Sequence, residues 1–334
     1  MLDILGYAAF FGTTALTYAV ICLGLNLQWG QTGLFNVGVA GFAAIGAYAT
    51  ALATTPADAG HWGGAGLPIA VGLLAAMVAS AGASAFVGAL TLRLRSDYLA
   101  ITTFGLGSVV QLACLNLRSV TGGPFGIGFI PRPFAALADR PSLFSFVAFG
   151  AMTVLTTLLF LGLERLARSP WGRVLRAIRE DEGAAAALGK SSAAYRLQAF
   201  ALGGALIGLG GALQAHAIGF IAPDNYLPTL TFEVWTMLIV GGAGSNAGAI
   251  LGAVLIWALW SGTGATLTML VPAEMQARAA ALQGVAIGVV LCIVLVLRPR
   301  GLLGARVAVP PQGTPQAAEP ADPGPAEASA KAGG

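Results

Sequence analysis

The chain has 334 residues, 57% of them hydrophobic and only 9% charged, with a mean hydropathy of +0.80 and a formal charge of +3. Soluble domains carry roughly 25% charged residues, which excludes a water-soluble globule. The composition indicates an all-α polytopic membrane protein of about 8–10 transmembrane helices, and the 47 glycines agree, because small residues let such helices approach closely.

Taken in order, apolar runs fall at about 8–28, 33–54, 67–92, 98–117, 142–163, 197–218, 231–247, 248–270 and 279–298. The first is preceded by Asp3 rather than a basic stretch, so it is expected to be retained rather than cleaved. The second is cut by Gly33, Gly38, Gly41 and Gly46 and reads as a broken or re-entrant helix. Arg93 and Arg95 end the third run. Ser96 and Asp97 open the fourth, one as a cap and the other against the positive end of the helix dipole. Thr102 and Thr103 lie slightly deeper and either bond back to their own helix or line a polar path. The connection 118–141 holds Arg118, Arg132 and Arg140 and the turn Thr121-Gly-Gly-Pro-Phe-Gly126, a connector or a cover for a substrate mouth.

After the fifth run comes a cluster of Arg165, Arg168, Arg173, Arg176, Arg179, Lys190 and Arg196, and Arg298 and Arg300 follow the last run. Placing these groups and Arg93/Arg95 in the cytoplasm satisfies the bias of basic residues towards that side, with 118–141 facing outward. Within the cluster, Ser169 and Pro170 read as an N-cap and a first helical residue. Trp171, Val174, Leu175 and Ile178 recur at helical spacing on one face, with Arg173, Arg176 and Arg179 towards another. One amphipathic helix of about six turns over 169–190 is therefore expected outside the bilayer, its apolar stripe available to a partner's groove.

Residues 184–191, AAAALGKS, fit a loose phosphate-loop pattern. The chemistry argues otherwise: alanines favour a helix, and Gly189 then serves as its C-terminal cap rather than as a phosphate cradle. Glycine-broken stretches occur in both halves, Gly33-Leu-Phe-Asn-Val-Gly38 and Val240-Gly-Gly-Ala-Gly-Ser-Asn246. They read either as close-packing devices or as the interrupted helices from which transporters build central sites. Asn36 and Asn246 favour a pathway, because an amide facing lipid is costly. Glu233, early in the seventh run, is either a functional intramembrane acid or a solvated one. Cys22, Cys114 and Cys292 lie in apolar runs and are expected in the core, and the isolated His61 and His216 suggest no metal site. The segment 305–334, rich in Pro, Ala, Gly and acidic residues, is expected to be a disordered tail behind a membrane domain over 1–304.

The series RLRSDYLAITTFGLGSVVQL (93–112), TGGPFGIG (121–128), SPWGRVLRAIREDEGAAAALG (169–189), GFIAPDNY (219–226), GGAGSNAGAILGA (241–253) and RPRGLLG (298–304) resembles the LivM-type permease subunits of branched-chain amino acid ABC importers. The resemblance covers about residues 10–304. It implies a multi-pass subunit of a bacterial inner membrane with a cytoplasmic C-terminal tail. It further implies a homologous second permease, two cytoplasmic ATPase subunits that use the ATP, and a periplasmic substrate-binding protein as partners, with no cofactor bound by this chain. The loop 164–196 would couple to the ATPases through Trp171, Arg173, Val174, Leu175, Arg176, Ile178, Arg179 and Glu180. Candidates for the translocation pathway are Asn36, Tyr48, Thr102, Thr103, Ser108, Glu233 and Asn246.

There are departures. In Asn36-Val-Gly-Val39 an asparagine and a valine stand where the family carries serine and histidine, and Ser108 and Gln111 stand where it carries an acid and a base. Losing both charges together avoids an orphan buried charge and weakens the case for a branched-chain substrate; related permeases carry urea, amides or aromatic acids. An ion-coupled secondary transporter is the other class, and the scarcity of intramembrane acids and histidines argues against it. No enzyme constellation and no nucleic-acid partner is indicated.

Overall fold

The computed structural model describes residues 2–57, 62–91, 96–137, 139–270, 276–298 and 301–304. Helix α1 spans Leu2–Leu25 and runs into a π-helical turn, Asn26–Gln31, after which an extended stretch leads to α2, Val39–Thr54. Next come α3 (Ile69–Thr91), α4 (Ser96–Asn116) and a loop holding the short α5 (Arg118–Thr121). Then follow α6 (Pro141–Arg168), α7 (Pro170–Glu180), α8 (Glu182–Ala187) and α9 (Ser192–Ile218). The chain closes with α10 (Pro228–Gly241), α11 (Asn246–Leu270) and α12 (Gln276–Leu297).

Among the described residues, six helices are long and apolar enough to cross a bilayer: α1 with its π-turn, α3, α4, α6, α9 and α11. This is an all-α, multi-pass membrane protein. The shorter α2 and α10, of 16 and 14 residues, reach only about 24 and 21 Å, less than a ~30 Å hydrocarbon core. Each follows non-helical backbone, the extended stretch before α2 and a 3₁₀ turn, Pro223–Tyr226, before α10. The second glycine-rich stretch is not an interruption within one span. Residues 242–245 form a turn, with α10 and α11 folded back so closely that a Cβ on Gly241 would strike the Gly248 carbonyl.

Helix α9 is the central post, with α1, α2 and α3 packed around it. Small residues set the spacing. A Cβ on Gly46 would run into the Gly208 carbonyl, and one on Gly211 into that of Ala43. On the α3 side, Ser80 Oγ donates to the Phe42 carbonyl at 3.0 Å and Ser84 Oγ to that of Phe200 at 2.7 Å. These hydroxyls take up polar capacity where helices touch and no water is at hand. The contacts 46 to 208 and 50 to 216 show α2 running parallel to α9, while 80 to 208 and 84 to 204 show α3 running against it.

The fold therefore has two distinct ends. At one lie α7, α8, the π-turn, the 242–245 turn and residues 301–304, where the Leu302 and Leu303 amides donate to Val240 and Gly241. At the other, Ile127 bridges Ile221, Arg132 Nη2 donates to the Ile218 carbonyl at 2.6 Å, and His216 joins Thr50 Oγ1 to the Pro131 carbonyl, at 2.9 and 2.8 Å. A carbonyl can only accept, so Nδ1 carries the proton and Nε2 receives the threonine hydroxyl. Cys22 and Cys114 are buried, but Cys292 is exposed, contrary to expectation, because α12 packs mainly on α10 and α11 along one side. The expected disordered tail and the cluster Arg93, Arg95 and Arg300 lie outside the described residues, as does His61.

Replacing Gly46 by Ala should destabilise the protein by about 1–3 kcal/mol through overpacking. Replacing Gly105 by Ala, inside α4 where the added Cβ would meet open space, should instead leave stability unchanged or raise it by up to about 1 kcal/mol. Thermal unfolding of both variants in detergent checks this, and equal midpoints would contradict the packing described.

Candidate functional site

The polar residues that matter gather where α1 stops. The π-turn frees backbone groups from the regular α-helical ladder, and side chains take them up. Asn26, Gln28 and Asn36 have no exposed surface, and Gln31 and Asn246 have only 6%. Asn26 Nδ2 donates to Asn246 Oδ1 at 2.9 Å, while Asn26 Oδ1 accepts the Gly244 N–H at 2.8 Å. Gln31 Nε2 donates to the Gly244 carbonyl at 3.0 Å. The α10–α11 turn is thereby clamped to the end of α1. Gly30 is required here, because a side chain would strike both the Asn26 amide and the Gly244 N–H.

The clamp extends outward in two directions. Asn246 Nδ2 donates to Glu164 Oε2 at 3.1 Å near the end of α6, and Glu164 Oε1 pairs with Arg168 at 2.8 Å. From α7, the Arg179 guanidinium donates to the Gly30 carbonyl inside the π-turn. Inward, Gln28 Nε2 donates to the Phe200 carbonyl at 2.8 Å, and Asn36 Nδ2 donates to Gln28 Oε1 at 2.7 Å. Asn36 Oδ1 accepts the Gly38 N–H at 2.8 Å, and Trp235 Nε1 donates to the Asn36 carbonyl at 3.0 Å.

Helix α7 starts as its sequence dictates. Ser169 Oγ accepts the Gly172 N–H, with Pro170 in the first turn. The single helix expected over 169–190 is divided. It ends at Glu180, and Asp181 caps α8 by accepting the Ala184 N–H at 2.9 Å. Its carboxylate competes with the helical ladder as short acidic side chains do. Gly189 then closes α8 in the left-handed region, φ +75°. The apolar stripe is not left free for a partner's groove. Leu175 and Ile178 are 0% and 1% exposed, Trp171 and Val174 are partly buried, and Trp171 Nε1 bonds Gln198 Oε1 at 2.9 Å. Burial of that face fixes α7 to the body and leaves Arg173, Arg176, Arg179 and Glu180 outermost.

The pathway candidates separate. Asn36 and Asn246 belong to the clamp. Thr103 Oγ1 accepts the Val37 N–H at 3.0 Å and donates to the Leu99 carbonyl at 2.9 Å, so it holds the extended stretch to α4. Thr102 bonds back to the Tyr98 carbonyl at 2.7 Å. Ser108 lines a crevice of about 10 Å³ with Val37, Tyr226 and Thr231, which leaves room for one water at most. Among the described residues the buried Tyr226 hydroxyl at this crevice and that of Tyr48 have no hydrogen-bond partner, and the two rings lie 6.4 Å apart. Glu233 stands apart, in a cleft of about 350 Å³ with Trp257 and Trp260. Among the residues that hold the site, sequence reasoning passed over Asn26, Gln28, Gln31 and Glu164. The signal was present, since Asn-Leu-Gln-Trp-Gly-Gln places three amide side chains directly after an apolar run.

A multi-pass helical membrane protein with a clamped helix break and a charged helix pair at one end is the class this arrangement defines. The chain belongs to the family described as branched-chain amino acid transport system / permease component, whose profile matches residues 7–295. It is similar to the high-affinity branched-chain amino acid transport system permease protein LivM of Salmonella typhimurium and to that of Escherichia coli. Each is 36% identical over 266 residues, 73% of this chain and 60% of the relative. The probable branched-chain amino acid transport permease protein LivM of Methanocaldococcus jannaschii is 27% identical over 264 residues, 70% of this chain and 75% of that one. The chain thus spans about 60% of the length of the two enterobacterial relatives. No solved structure matches it.

Removing either clamp asparagine strands a buried donor or acceptor, at about 1–3 kcal/mol. A double-mutant cycle of Asn26→Ala and Asn246→Ala, followed by thermal unfolding, should give a coupling of about 0.5–3 kcal/mol. Additive effects would show that the two amides do not act as one clamp.

Proposed function

We propose that this chain is the membrane-spanning, non-catalytic permease subunit of an ABC importer, driven by ATPases on partner chains. Its partners would be a homologous second permease, two cytoplasmic ATPase subunits and a periplasmic substrate-binding protein. The observation that carries the reading is the pairing of α7 with the π-turn. Helix α7 is held rigidly by Leu175 and Ile178, keeps Arg173, Arg176 and Glu180 outermost, and touches the helix break through Arg179. A force applied to the charged face of α7 would reach the end of α1 and, through Asn26, Gly244 and Asn246, the α10–α11 hairpin. Docking would then rest on charge rather than on an apolar stripe. The α7 end would be cytoplasmic, in keeping with its arginines and with the relatives' transport role.

The pathway would follow the α2–α4–α10 face, past Ser108, Thr231 and the unpartnered Tyr48 and Tyr226 hydroxyls. The crevice there has a volume of only about 10 Å³ in this conformation. The branched-chain amino acids named for the relatives are one reading of the cargo. Neutral Ser108 and Gln111 favour a second, a related uncharged substrate such as urea or an amide, because a site without fixed charges discriminates by shape and hydrogen bonding.

Reversing Arg173 to Glu should abolish ATP-driven uptake in proteoliposomes that hold the complete importer, and should reduce co-purification of the ATPases. Insertion of the chain into membranes should be unaffected. Uptake at the wild-type rate would remove α7 from the coupling role.

A further inference from the structure

A second feature at the α7 end has no part in the pathway. Between the last turns of α6, the face of α7 and the α10–α11 turn lies a cleft of about 680 Å³. That is the size range of small-molecule sites. Arg165, Arg168 and Arg176 line it together with one acid, Glu164. Glu164 is already engaged by Arg168 and Asn246. Arg165 and Arg176 make no ion pair or hydrogen bond among the described residues, so the cleft holds uncompensated positive charge.

Two further observations define what would fill it. Gln31, only 6% exposed, lines the cleft; its amide nitrogen is committed to Gly244, and its Oε1 has no partner among the described residues. A buried acceptor of this kind calls for a hydroxyl or N–H donor. The wall on the α6 side is apolar, with Phe160 and the 51% exposed Leu161. An anion, a hydroxyl donor and a hydrocarbon chain are thus all provided for in one place, at the level where a membrane helix ends.

We infer that this cleft is a binding site for an anionic glycerophospholipid of the phosphatidylglycerol type. Its phosphodiester lies between Arg165 and Arg176, its headgroup hydroxyl meets Gln31, and its acyl chains run along Phe160 and Leu161. Basic pockets between transmembrane helices on one side of the bilayer take acidic headgroups in this way. Because Arg176 belongs to α7, the lipid ties that helix to the membrane surface. The inference does not depend on what the chain transports.

The test is native mass spectrometry of the purified full chain, titrated with phosphatidylglycerol or with phosphatidylcholine of the same acyl chains. Phosphatidylglycerol should bind about tenfold more tightly. The double variant Arg165→Gln/Arg176→Gln should lose that preference, and Arg118→Gln/Arg140→Gln, at the opposite end, should keep it. Both pairs are exposed, so neither should disturb folding. Equal binding of the two lipids, or a preference that survives the first pair, would overturn the inference. Complete displacement of the lipid by soluble glycerol phosphate would assign the cleft to a free phosphate instead. Its displacement by added ATPase subunits would assign it to protein docking.

Discussion

A membrane helix that breaks where water is excluded leaves backbone N–H and C=O groups unpaired, and each orphan costs several kcal/mol. That constraint organises this protein. Between Asn26 and Gly38 the first span leaves the α-helical ladder, and polar side chains from distant parts of the chain meet the freed backbone groups and the amides beside them. Asn246 comes from the start of α11, Thr103 from α4, Trp235 from α10 and Arg179 from α7. The break is thus a junction through which most of the fold is connected, and it can move only if its partners move with it.

The arrangement also explains a division of labour among similar residues. Glycine and serine on α2, α3 and α9 create a tight, stiff post, because backbones in contact have few alternative packings. The α10–α11 hairpin and α7 are held by buried apolar side chains such as Leu238, Ile256, Leu175 and Ile178, and at one end also by hydrogen bonds. Hydrogen-bonded junctions have discrete alternative arrangements, whereas a close-packed glycine seam has essentially one. Motion driven from α7, as proposed, would reach the α1 break and the α10–α11 turn before the central post.

Much of this was legible in the sequence, for definite reasons. The nine apolar runs correspond to α1, α2, α3, α4, α6, α9, α10, α11 and α12, since hydropathy reports directly on what lipid tolerates. Ser169, Pro170 and Gly189 fixed the ends of the charged segment through local capping chemistry. Tertiary choices were not legible. Nothing local distinguishes an apolar stripe that meets a partner from one that meets its own chain, so the burial of Leu175 and Ile178 was missed. Asp181 could have been read either as a helical surface residue or as a cap. Asn36 and Asn246 were read as pathway residues because an amide in lipid demands a partner. The demand was real, but it is met by Gln28 and Asn26.

The central claim is that Arg179 passes the movement of α7 to the break in α1. The most direct measurement is the uptake obtained per ATP hydrolysed by the complete importer in proteoliposomes, with wild-type chain and with Arg179→Gln. Loss of a charge-assisted hydrogen bond at this junction should leave ATP hydrolysis near the wild-type rate and lower uptake about tenfold. Uptake per ATP unchanged from wild type would contradict the claim.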